Sequence, residues 1–219
     1  MKAGLIYLIV AVFFLVTAVV LQKRYCILCD ASTARPKPFS FSRVQLTWWT
    51  FIILASFVSV ILATGEIPTL DDSTLVLLGI GAMTHIASRA IDVSDNAGAV
   101  APVNQVDPVA GVADPGDPVP APPAPEAPVL SINYPSEGFW LDILSDKYGV
   151  SIHRFQAFVF NLVFGVWFIY KTAVNLKGIT VDSTISKINA VIPVIGTNNL
   201  ILLGLSAGTY AALKITENR

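Results

Sequence analysis

Five apolar runs, separated by short polar or proline-rich stretches, set the pattern of this chain. Residues 3–21 form the first, free of charge and rich in Val, Leu, Ile and Phe. A bilayer core of roughly 30 Å takes about 20 apolar residues of helix, so the run predicts a transmembrane span. Residues 44–64 form the second, with Trp48 and Trp49 near its start, where aromatic side chains favour the membrane interface. Residues 75–91 are shorter and carry His85 and Arg89; 152–174 and 199–213 complete the set. Asp72 or Ser73 can cap the third helix and Asn198 the fifth. The expected fold is an all-α membrane protein with five transmembrane helices.

The later runs repeat the earlier ones. Arg43-Val44-Gln45 opens one apolar run and Arg154-Phe155-Gln156 opens another. Leu77-Leu78-Gly79-Ile80-Gly81-Ala82-Met83-Thr84 closes the first unit, and Leu202-Leu203-Gly204-Leu205-Ser206-Ala207-Gly208-Thr209 closes the second. The second unit is longer by about 14 residues, inserted between its two runs. A duplicated two-helix hairpin is a common building plan of membrane proteins. Both copies begin on the same side, so a pseudo-twofold axis along the membrane normal is expected to relate them.

Composition supports the membrane reading. Hydrophobic residues make up 54% of 219 and charged ones 13%, with a mean hydropathy of +0.66. One soluble domain could not cover that much apolar surface. The net charge of −1 and the absence of a Lys/Arg block argue against nucleic acid as a partner. Charge also sets direction. Lys23, Arg24, Arg35, Lys37, Arg43, Arg89, Lys147, Arg154, Lys214 and Arg219 fall on one side of a five-span layout, against Lys2, Lys171, Lys177 and Lys187 on the other. The positive-inside rule then predicts N-out and C-in. The first run is longer than a signal-peptide core and lacks a small-x-small cleavage site, so an uncleaved anchor is expected.

Seven segments follow: 1–22 as an N-terminal membrane anchor, 23–42 as a cytoplasmic segment with a Cys-x-x-Cys pair, and 43–91 as the first repeat. Residues 92–135 form a tether with ten prolines, six acidic residues and no basic ones. Such a segment cannot bury a core and favours extended polyproline II; its alternative use is as a docking strand for a cytoplasmic partner. In 136–150, Phe139, Trp140, Ile143, Leu144 and Tyr148 recur at helical spacing, predicting an amphipathic interface helix capped by Ser136. Residues 151–214 hold the second repeat, with an extracytoplasmic excursion over 179–196 that includes an amphipathic or re-entrant piece around 188–195, and 215–219 the tail.

Chemistry-bearing residues are sparse. Cys26 and Cys29 at this spacing suit zinc or dithiol redox work. Zinc wants four ligands, however, and the only histidines, His85 and His153, have no spacing relation to the pair. Free or lipid-modified cysteines facing a reducing cytoplasm are the plainer expectation, and no metal or cofactor is assigned. His85 is an ionisable group within a span and so a functional candidate, although a neutral histidine bonded to a neighbouring helix fits equally. Gln45, Gln156 and Asn161 are expected to make interhelical hydrogen bonds. Arg43 and Arg154 begin equivalent helices, where long side chains snorkel to phosphate headgroups of membrane lipid or reach exposed helix carbonyls. Gly204, Gly208 and Ala212 form a small-residue ridge, with Gly79 its looser counterpart, and such ridges let helix backbones approach.

The combination of Phe39-Ser40-Phe41-Ser42-Arg43-Val44-Gln45, Trp48-Trp49, Ile152-His153-Arg154-Phe155-Gln156 and Leu203-Gly204-Leu205-Ser206-Ala207-Gly208-Thr209-Tyr210 resembles a group of uncharacterised bacterial multi-pass membrane proteins. The likeness covers both hairpins and the Ile143-Leu144-Ser145-Asp146 approach. It implies placement in the bacterial inner membrane and supports the repeat, and implies nothing catalytic.

Three function classes compete. A self-associating scaffold or assembly component needs the ridge, the interface helix and the tether, and is the leading expectation, with a homo-oligomer as its form. A channel or carrier would place a site or pore at the interface of the two repeats. An enzyme needs a nucleophile, base or metal cluster, and none assembles from these residues.

Overall fold

The computed structural model describes residues 3–30, 32, 34–99, 135–146 and 149–217. The regular structure of the described residues is helical except for one two-residue strand pair. Four helices form a bundle: α2 (Phe41–Thr64) and α5 (Ile152–Leu176) run parallel to each other, α3 (Asp72–Ala99) and α7 (Thr197–Glu217) run the opposite way, and α1 (Ala3–Tyr25) is laid against α2 and α5. Two shorter elements, α4 (Phe139–Leu144) and α6 (Ile185–Asn189), close the ends.

α1, α2, α5 and the first 20 residues of α3 are long and apolar enough to cross a membrane, so the chain is a membrane protein. α7 covers the same height as α3: it starts beside Ser73, whose Oγ accepts the Ile195 N–H at 3.2 Å, and reaches Phe41 through Tyr210. Large apolar side chains are exposed along the spans, among them Leu8, Val12, Phe13, Val16, Met83, Ile86, Val163 and Leu205. A side chain surrounded by lipid has no reason to be polar. The inward face is filled by Trp49, Ile52, Val60, Leu77, Phe168, Leu176 and Leu203, each at most 1% exposed.

The helices do not obey the expected twofold. α2 lies beside both α3 and α5, and α7 lies beside both α3 and α5. A twofold axis through the bundle would set α2 diagonally across from α5 and α3 across from α7. Both of those pairs are neighbours instead, so the two hairpins stand side by side.

α3 also departs from its expected end. It continues to Ala99, which takes the first residues of the expected tether into the helix; 28 residues give about 42 Å of length, more than the bilayer core needs. The rest of the tether, residues 100–134, lies outside the described residues. The start of α3 is capped by Asp71 rather than Asp72 or Ser73: its Oδ2 accepts the Ser73 N–H at 2.9 Å. Hydrogen bonding from Ser73, first its backbone and then its side chain, holds the Asp71 carboxyl below its ordinary value of 3.8.

The amphipathic helix expected over 136–150 is only six residues long. Gly138 at φ 114° precedes it, and after it Ser145 pairs with Val150 and Asp146 with Gly149, which takes φ 109°. Both backbone conformations belong to the left-handed half of φ space, which glycine adopts without strain; the helix itself ends at Ser145, whose backbone is extended at φ −104° and ψ 154°. Ser136 is not its cap; Gly138 holds that position without a side-chain bond.

At the opposite end, the excursion between α5 and α7 folds onto the bundle. α6 and the turn after it bury Ile188, Val191, Ile192 and Ile195. Asn175 donates to the carbonyls of Ala190 and Val191 at 3.2 and 3.1 Å, and Asn189 Oδ1 accepts the Thr69 N–H at 3.0 Å.

Candidate functional site

The polar chemistry gathers at the end of the bundle where α1 stops and α2 and α5 begin. Tyr25 is the last residue of α1, and Cys26 takes φ 52°, turning the chain back on itself. Cys29 then pairs antiparallel with Phe39, with Asp30 N–H donating to the Pro38 carbonyl and Ser40 N–H to the Leu28 carbonyl, both at 2.8 Å. The Cα atoms of Cys26 and Cys29 stand 5.2 Å apart and the two sulfurs form a disulfide. That pairing differs from the expectation of unpaired or lipid-modified cysteines. Among the described residues no three His, Cys, Asp or Glu side chains converge as a metal site.

Gln22, on the last turn of α1, holds this loop. Its Oε1 accepts the Leu28 N–H at 2.8 Å, while Nε2 points at Cys29 Sγ at 3.4 Å and Cys26 Sγ at 3.8 Å. Arg43 reaches the same loop from α2, with Nη1 at 3.5 Å from the Ile27 carbonyl. Of the two cysteines Cys29 is 2% exposed and Cys26 is half-buried.

Beside the loop, Arg154 at the start of α5 lies 5.4 Å from the centroid of the Tyr210 ring, and Phe41 packs on the other part of that ring at 4.9 Å. A guanidinium over an aromatic face is stabilised by the ring quadrupole. The two repeated arginines thus differ: Arg43 serves the disulfide loop and Arg154 serves α7.

Asp142 on α4 is a polar junction. Its carboxylate accepts the Phe39 N–H at 3.0 Å, the Ser136 hydroxyl at 2.6 Å and the Glu137 N–H at 3.0 Å. Ser136 N–H donates to the Pro36 carbonyl at 2.9 Å. The segment leading into α2 and the segment leading into α5 are therefore tied through one carboxylate, with Ile143 fully buried beneath.

The expected intramembrane polar residues are distributed unevenly. Asn161 is buried between α2 and α5, accepting the Trp49 indole N–H at 2.6 Å and donating to its own helix at the Ala157 carbonyl at 2.7 Å. Trp48 donates to the Asn161 backbone carbonyl at 3.0 Å. Trp48 and Trp49 are thus drawn into the bundle and not to the interface, because Asn161 supplies acceptors for both indoles. Gln45 is buried with an Oε1 that accepts no hydrogen bond. Gln156 is exposed, so the two glutamines share no environment. His85 is half-buried on α3 and is not without a partner there.

The small-residue ridge lies on the outer side of α7. Gly204 meets Ile80 of α3, where an added Cβ would be 3.7 Å from Cδ1, but the Cβ position of Gly208 is open and Ala212 is exposed. Gly79 likewise faces open space. The close approach inside the chain is made at Gly165 on α5, whose Cβ position would fall against the Trp48 indole, 2.6 Å from Cε2 and 2.7 Å from Cζ2. Sequence reasoning passed over Gly165, Asp142 and Gln22. The first carried a signal, as the lone glycine in a run of bulky apolar residues. Gln22 and Asp142 acquire their partners only through the fold. Comparison with protein-family models, with curated proteins and with solved structures finds no match to this chain.

Proposed function

We propose that this chain is an integral membrane scaffold that self-associates through the outer face of α7. One observation carries the reading: Gly204, Gly208 and Ala212 make a strip of small residues that the chain's own bundle leaves uncovered at Gly208 and Ala212. In lipid no hydrophobic force drives helices together, so close backbone approach over such a strip supplies the association energy. The filled bundle interior fits a structural role. In this reading the chain has five spans, N-out and C-in, in the bacterial inner membrane. The proline-rich tether stands in the cytoplasm beside a protein partner, and the function requires no catalysis.

The test is Gly208→Ile. A side chain there blocks close approach between subunits but meets nothing within the chain, so the assembly should fall to smaller species in detergent while the melting point of the released form holds. Unchanged assembly size would remove the support for the scaffold.

A second reading, a carrier or channel between the hairpins, has its own observation. Arg43 Nε, Gln45 Oε1 and Ser206 Oγ are buried at the basic end without hydrogen bonds. Groups so placed would welcome a polar cargo or water. Solute flux through reconstituted vesicles that is lost in Gln45→Leu would favour this reading over the scaffold.

A further inference from the structure

We propose that the Cys26–Cys29 disulfide is a redox site that exchanges two electrons with a dithiol partner from the aqueous side of the basic end. The ring it closes spans a sequence separation of only three. A link that short removes little freedom from the unfolded chain, and it joins no two distant elements. The loop is held without it, by the Cys29–Phe39 pairing, the Asp30–Pro38 and Ser40–Leu28 bonds and the Gln22 clamp on Leu28. The bond is therefore poorly placed to stabilise the fold and well placed to open without disturbing it.

The two sulfurs are also inequivalent. Cys29 is 2% exposed, whereas Cys26 is half-buried beside the exposed Lys23, Arg24 and Tyr25. An incoming thiolate meets Cys26 Sγ first. The new sulfur–sulfur bond forms there, the Cys26–Cys29 bond breaks, and Cys29 leaves as a thiolate. The Gln22 amide N–H, 3.4 Å from Cys29 Sγ, donates to the charge that develops on it. The partner's second thiolate then attacks its own sulfur in the mixed disulfide, closes the partner's disulfide and expels Cys26 as a thiolate. The two protons lost by the partner's thiols match those taken up by Cys26 and Cys29. The partner is oxidised and the loop reduced. Rate in such exchange depends on access to the attacked sulfur and on stabilisation of the leaving thiolate.

The site goes beyond the scaffold reading and does not depend on it. The test uses the full chain, oxidised, in phospholipid nanodiscs, with dithiothreitol as the dithiol and a maleimide to count thiols by mass. One maleimide adduct, at Cys26, should appear within minutes without denaturant and a second, at Cys29, more slowly, and the melting transition should shift by no more than about 5 °C. Thiols that appear only on denaturation, or a bundle that melts on reduction, would overturn the proposal. Gln22→Glu keeps the acceptor for Leu28 N–H but removes the donor to sulfur. It should slow reduction by roughly tenfold or more, and an unchanged rate would remove Gln22 from the mechanism. With one cysteine at a time, Cys29→Ser should take an aromatic disulfide reagent at Cys26 at least about tenfold faster than Cys26→Ser takes it at Cys29. The reverse order would contradict the assigned roles.

Discussion

Replacing Gly165 with alanine puts a methyl group where the Trp48 indole already stands. The added Cβ would lie 2.6 Å from Trp48 Cε2, well inside contact distance, and Trp48 is itself held by its bond to the Asn161 carbonyl. α2 and α5 must part or the indole must turn and give up that bond. Overpacking of this kind costs about 1–3 kcal/mol. On a Trp48→Ala background the obstacle is gone, and the same change then favours the helix by about 0.5–1 kcal/mol, the usual advantage of alanine over glycine. The substitution should change sign between the two backgrounds, a coupling on the order of 2–3 kcal/mol. Gly204→Ala is the reference: its nearest neighbour, Ile80 Cδ1, sits at ordinary contact distance of 3.7 Å, so little change is expected. The four proteins can be compared by reversible unfolding in mixed micelles, followed by far-ultraviolet circular dichroism. If Gly165→Ala has the same effect with and without Trp48, the α2–α5 contact is not where the structure puts it.

Asn161→Leu leaves the Trp49 indole N–H buried without its acceptor and should cost about 1–3 kcal/mol; adding Trp49→Phe should recover part of that loss in the same unfolding assay. Asp142→Ala removes the shared acceptor of Phe39, Ser136 and Glu137, so protease nicking between 135 and 146 should rise sharply while the helical content of the bundle holds. The Asp71 carboxyl is held below its ordinary value of 3.8, so the stability it lends to α3 is present above that pH and lost as pH falls through the lower, folded value; amide exchange at Ser73 and Thr74 should accelerate only in acid, and Asp71→Asn should flatten that dependence. A reporter active only in the cytoplasm should be active after Arg219 and silent at Leu70; activity at Leu70 would overturn the proposed orientation.

The spans were legible because lipid imposes a simple demand, an apolar exterior with every backbone group bonded inside the helix. Runs around 3–21, 44–64 and 152–174 meet it directly and coincide with α1, α2 and α5. Helix ends were less legible, since α3 runs past Ile91 to Ala99 on backbone bonding that no apolar period marks. The arrangement of the hairpins was not legible at all. Matching Arg43 with Arg154 and Gly79 with Gly204 says that two segments are alike in sequence, and is silent on which faces meet. Trp48 against Gly165 and Trp49 against Asn161 pull α2 to α5 directly and set the hairpins side by side. The cysteine pair was visible as a motif, but its state depends on the turn at Cys26 and on Gln22, a residue whose partners come from a loop beyond its own helix.

The junction at Asp142 means that the two hairpins hold each other by contacts of their own, besides the covalent link between them. The chain returns after residue 134 already fastened to the approach of α2, by Ser136 on Pro36 and Asp142 on Phe39. From there Trp49 and Asn161 join the halves at mid-height, and Thr69 with Asn189 and Ser73 with Ile195 join them at the far end. These contacts would let the two halves find each other without the link. Expressed as two separate chains cut within that link, the fragments should insert independently and recover the same bundle, which would make each half a unit that can be exchanged, labelled or titrated against the other.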